Sequence, residues 1–332
     1  MRGHWVLALA ASLVGVAVVP LLLGGGESLQ RALSLPPLAL AGLLAMICLG
    51  WCCNAGRFHL LLGGMGRAPR YRSLLRVVVS AEFAGTATPA YAGGPAAYLY
   101  LLGQLGLRPG QSAAAVALDH LTDLVFFATA LPVALLLLAV GKALGGMGGG
   151  LILVALLPAL GVTLLAWLPG HYRRLALALG RLMRRVPRVH RWRYRLARWL
   201  VQFRHSVQAV LAMDRWRLVA VYLLCAAHWS LRYGILPVTL HLLGEDVPVA
   251  YLFVVQSVAL FVGHLTAVPA GAGTADLTFA ALLSAYLPAS SVASALLIWR
   301  FCTFHWYVLV GAPVLLVSAA GRGWLRGFSR RA

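Results

Sequence analysis

The 332-residue sequence predicts an all-α fold: a polytopic membrane helical bundle with inverted repeats and two broken or re-entrant helical hairpins. Three observations carry this prediction. Hydrophobic residues make up 61% of the chain and charged residues only 11%, against about 25% charged in soluble domains. The phrase TATPAYAGG at 86–94 returns as TAVPAGAGT at 266–274. Basic residues crowd into alternate loops, as the positive-inside rule requires.

A bilayer core of about 30 Å is crossed by roughly 20 apolar residues. Segments 5–23, 35–56, 113–139, 149–168, 217–243 and 292–318 satisfy that length as full spans. The run from Trp5 to Leu23 is too long for a signal-peptide core and reads as a retained first span. Segments 73–106 and 252–288 are also apolar, but Pro and Gly interrupt each near its middle. Each is too long for one helix and short for two, the pattern of a broken hairpin. The whole chain, 1–332, reads as a single integral membrane domain.

Arg57, Arg67, Arg70, Arg72, Arg76 and Arg108 lie between the second and third full spans, and 13 arginines fall in 171–217. Arg322, Arg326, Arg330 and Arg331 follow the last span. These segments are expected to face the cytoplasm with both termini, in a bacterial cytoplasmic (inner) membrane. The net charge of +20 is thereby explained without nucleic acid as a partner. Within 171–216, Trp192, Leu196, Trp199, Phe203, Val207 and Val210 recur at helical spacing between arginines. That pattern predicts an amphipathic helix at the membrane surface, in contact with anionic lipid. The five cysteines sit in apolar sequence without metal-ligand spacing, and no cofactor or metal is expected.

The repeated phrase organises the rest. Repeat one covers about 35–139 and repeat two about 217–318, with Pro89 and Pro269 180 positions apart. By loop charge the first unit enters from outside and the second from inside, an arrangement suited to alternating access. Pro89 and Pro269 block helix continuation, while Gly93, Gly94, Gly271 and Gly273 relax the backbone at each break. The helix restarting after each break is expected to aim its amides into a central cavity, as an anion site.

Only eight carboxylates occur, and four lie in apolar sequence: Glu82, Asp119, Asp123 and Asp276. Exposed to lipid they would together cost about 10 kcal/mol, so they are expected to face protein or water. Asp119 and Asp123, four residues apart, share a helix face. Arg232 and Arg300 lie inside spans, and His120 occupies the position in repeat one that Arg300 holds in repeat two. The two arginines are expected to contact phosphate, with the carboxylates holding them, meeting a cationic group or carrying a proton.

The pieces TPAYAGG at 88–94, DHLTD at 119–123, VPAGAGTAD at 268–276 and WRF at 299–301 resemble the flippase-like transmembrane region of lysylphosphatidylglycerol synthases. The resemblance spans nearly the whole chain. It implies a helical bundle with re-entrant hairpins that moves lipids between leaflets. The family pattern often places a basic residue after the first proline, where this chain has Ala90 and Tyr91, and a Glu-Arg pair where it has Asp119 and His120. The chain resembles a stand-alone member without the aminoacyl-transferring domain, and lysyl transfer is not expected.

The function expected is therefore a lipid flippase, taking a phospholipid or other amphiphile with a charged head group. The alternatives are a membrane-embedded enzyme in a lipid or lipid-linked glycan pathway, or an accessory subunit of a lipid-biosynthesis partner. No catalytic motif and no nucleotide-binding loop is present, so transport rather than chemistry is expected.

Overall fold

A computed structural model describes residues 18, 22, 25–140, 201–202, 205–266, 268–269 and 271–319. The expected spans at 5–23 and 149–168, and most of the amphipathic segment, lie outside these residues. The described residues form nine named α-helices and no strand: α1 Pro37–Gly64, α2 Tyr71–Thr86, α3 Gly93–Gln104 and α4 Pro109–Val140 make the first half. The second half is α5 Arg215–Leu242, α6 Val249–Leu265, α7 Thr274–Leu283, α8 Ala289–Arg300 and α9 Trp306–Ala319. A π-turn at Phe301–His305 joins α8 to α9 into one long rod. Four rods, Pro37–Gly64, Pro109–Val140, Arg215–Leu242 and Ala289–Ser318, are long and apolar enough to cross a membrane. The chain is an integral, all-α membrane protein.

Proline sets most of the helix starts. Pro37 and Pro109 open α1 and α4, and Pro248 and Pro288 stand immediately before α6 and α8. A first-turn proline loses no hydrogen bond, because that amide has no helical partner. Pro132, Pro237 and Pro313 lie inside α4, α5 and α9, which neighbouring helices make tolerable in a membrane. The expected spans run longer than the hydropathy windows: α1 continues eight residues past 56 to Gly64. That extension moves Arg57 from the basic loop, where its charge suggested it belonged, into the buried bundle.

The halves share an order of elements: long helix, broken pair, long helix. Their long first helices pack antiparallel through small residues. Met46 faces Gly234, Gly50 faces His228, Gly56 faces Leu224 and Gly64 faces Met213. Such residues let membrane helices approach closely where no hydrophobic effect drives them together. Each broken pair then packs on the last rod of the other half, α2 against α9 and α6 against α4. Gly311 of α9 makes the first contact possible, since a side chain there would collide with Phe83 and the Val79 carbonyl.

The two breaks meet each other. Pro89 and Pro269 form an isolated antiparallel bridge, so the repeated phrases face one another at the centre. Residues 205–211, the described end of the amphipathic segment, are helical. There Val210 is buried and Val207 half-buried against Leu61, Leu118 and Val221, while Leu211 is exposed. This end of the segment docks on the bundle rather than lying wholly in the lipid interface.

Candidate functional site

Between the halves lies a cavity of about 500 Å³. Its wall draws on α1 through α6, both breaks, α8 and the π-turn. Of the sequence-predicted site residues, Glu82, Asp119, His120, Asp123, Arg232, Gly271 and Arg300 line it. Pro89, Gly93, Gly94, Pro269, Gly273 and Asp276 stand behind the wall, where they shape the breaks.

Arg57 organises one end. Its Nη2 lies 2.5 Å from Asp119 Oδ1 and its Nη1 2.5 Å from Asp123 Oδ1. Asn54, one turn earlier on α1, accepts from the Arg57 Nε and Nη2 and passes its own amide proton toward the Tyr98 hydroxyl. The four-residue spacing of Asp119 and Asp123 thus does what one helix face allows: two carboxylates grip one guanidinium. Asp123 also accepts from the Trp229 indole N–H at 2.7 Å, which ties α4 to α5. Sequence reasoning missed Arg57. The available signal was the apolar run FHLLLGG directly after it, which keeps α1 going.

A second group spans the halves. Glu82 Oε2 accepts from the Tyr91 hydroxyl at 2.9 Å and from Arg232 Nη1 at 3.2 Å. The Arg232 guanidinium also lies over the rings of Trp229 and Tyr307, 5.5 and 5.2 Å from their centroids. Tyr91 holds φ at 59° and Ala90 at 50°, left-handed values that residues with a Cβ rarely adopt. The matching position in the second half is Gly271, φ 61°. The same left-handed position carries a side chain at Tyr91 and none at Gly271, and strain of this kind costs about 1–3 kcal/mol per residue.

The third group is deeper. Arg300 Nε reaches Asp276 Oδ1 at 2.5 Å, and both side chains are buried. Asp276 Oδ2 accepts the Gly273 amide at 2.8 Å, capping α7. At the first break Thr88 Oγ1 accepts the Gly93 amide at 2.7 Å, capping α3. At each restarting helix one amide is therefore already taken by the chain's own side chain, Gly93 by Thr88 and Gly273 by Asp276. Arg300, expected to contact phosphate with a carboxylate holding it, lines the cavity and is held by Asp276.

Asp119, His120 and Asp123 place ligand atoms within 4.8 Å of one another. Arg57 already engages both carboxylates, so a metal ion would compete with a fixed guanidinium. His228 donates through Nδ1 to the Gly50 carbonyl at 2.8 Å and serves the α1–α5 crossing.

A helical membrane protein with two broken hairpins closing on a charged internal cavity is the class that fold and site define. Residues 5–311 match the family described as lysylphosphatidylglycerol synthase TM region. The chain belongs to that family. It is also similar to a UPF0104 membrane protein of Archaeoglobus fulgidus, 25% identical over 265 residues, 79% of this chain and 81% of that protein.

Proposed function

We propose that the chain moves a lipid with a charged head group between membrane leaflets. The single observation that carries the reading is the cavity between the halves, whose largely apolar wall carries Arg57, Arg232, Arg300, Glu82, Asp119 and Asp123, inside a bundle whose rods are apolar. A head group needs such a path, while its acyl tails need none and stay in lipid. The antiparallel packing of α1 and α5 supports reading the halves as inverted copies, with the two broken pairs re-entrant from opposite sides. Exposed Arg67, Arg70, Arg72, Arg76 and Arg108 favour the cytoplasm for their end of the bundle. Transport is favoured over catalysis because each cavity carboxylate already faces a guanidinium, leaving it poorly placed as a free acid or base.

Purified protein in vesicles, with fluorescent phosphatidylglycerol and phosphatidylethanolamine, tests this reading. Protein-dependent loss of the protected inner-leaflet signal on dithionite addition is expected for at least one lipid. Identical signals in protein-containing and empty vesicles across a panel of anionic, zwitterionic and cationic lipids would end the proposal.

A further inference from the structure

The three cavity arginines are not equivalent. Arg57 keeps 1% of its side chain exposed and Arg300 3%, whereas Arg232 keeps 16%. The ion pairs of Arg57 join α1 to α4 within the first half, and that of Arg300 joins α7 to α8 within the second. Glu82–Arg232 is different: among the described cavity residues it is the ion pair that crosses from one half to the other. It also runs on to the strained turn, because the same Glu82 oxygen accepts from Tyr91.

Building on the transport reading, we propose that Arg232 is the residue that binds the phosphate of the substrate, and that Glu82 is its internal stand-in. A carboxylate and a phosphate oxygen present the same acceptor to a guanidinium. An incoming phosphate takes Nη1 from Glu82, and this ion pair between the halves is exchanged for a link to substrate. Glu82 keeps the Tyr91 hydroxyl, so the displaced carboxylate retains a donor. Arg232 stays over Trp229 and Tyr307, whose faces hold the cation in place through the exchange. Arg57 and Arg300, held inside their own halves, are positioning residues. The exchange makes substrate arrival the event that loosens one half from the other, and the apparent affinity is the intrinsic one scaled by the fraction of time Arg232 is free of Glu82.

Isothermal titration of the detergent-purified full chain with dihexanoyl phosphatidylglycerol, and separately with inorganic phosphate, tests this. Glu82→Gln is expected to bind the lipid about tenfold tighter than the native chain, the gain of a removed competitor. Arg232→Gln is expected to bind about tenfold weaker or worse, and the double variant to match Arg232→Gln. Arg232→Lys, which keeps charge but not the fork, should fall between native and Arg232→Gln. If Glu82→Gln does not yield folded protein, Glu82→Asp, with a shorter reach, must bind tighter than native. Native or weaker affinity in the Glu82 variants, or unchanged affinity in Arg232→Gln, overturns the proposal. Binding of inorganic phosphate alone with this same pattern would keep the exchange and discard lipid as the source. The expected binding pattern without leaflet exchange would sink transport while leaving the Arg232 site standing.

Discussion

Replacing Arg57 by Met removes the charge and keeps most of the apolar stem. The side chain is 1% exposed, and its loss leaves Asp119 and Asp123 facing each other at a buried site. Removing one partner of a buried ion pair costs about 3–5 kcal/mol, because the remaining charge is uncompensated. Two carboxylates share the guanidinium here, so the upper part of that range applies to Arg57→Met. At about 2–4 °C per kcal/mol for chains of 150–250 residues, less for a longer one, the thermal midpoint in detergent should fall by roughly 5–15 °C. The triple variant Arg57→Met, Asp119→Asn, Asp123→Asn neutralises the whole cluster. Uncharged groups of the same shape are far less costly to bury, so the triple variant should recover at least half of the loss. Midpoints from intrinsic tryptophan fluorescence, read on monodisperse protein, provide the comparison. An Arg57→Met midpoint within about 1 °C of native would refute the reasoning, as would a triple variant less stable than the single one.

Three further outcomes follow from the same geometry. Asp276→Ala removes both the partner of Arg300 and the cap of α7, and should destabilise by about 3–5 kcal/mol. Asp276→Asn, which can still accept the Gly273 amide, should lose less, by thermal midpoint. Gly271→Ala places a Cβ 2.5 Å from the Gly263 Cα on a backbone held at φ 61°, so folded yield on size-exclusion chromatography should collapse, while Gly103→Ala, whose Cβ meets nothing, should express as native. Tyr91→Phe deletes one hydrogen bond to Glu82 and should cost about 1 kcal/mol in the same melts. Tyr91→Gly relaxes the left-handed turn but also removes a ring packed on Gly85 and Gly94, so it should destabilise more than Tyr91→Phe.

What the sequence alone determined is whatever depends on near neighbours in the chain. Hydropathy over about 20 residues identified the long rods, and Pro89 and Pro269 marked where two helices break, because a proline's missing donor acts within its own turn. The four carboxylates in apolar sequence were legible as charges in need of partners, since the cost of leaving them in lipid is independent of fold. Which partner each one takes was decided only by tertiary structure. Arg57 reads as a loop residue until α1 is seen to run on to Gly64 and lie beside α4, where Asp119 and Asp123 converge on it. Asp276 reads as one of several carboxylates that could hold an arginine or carry a proton until Arg300 and the Gly273 amide are seen to take its two oxygens. The pairing of Glu82 with Arg232 links residues 150 positions apart. It exists because the two halves pack against each other, and no local pattern encodes a contact at that separation.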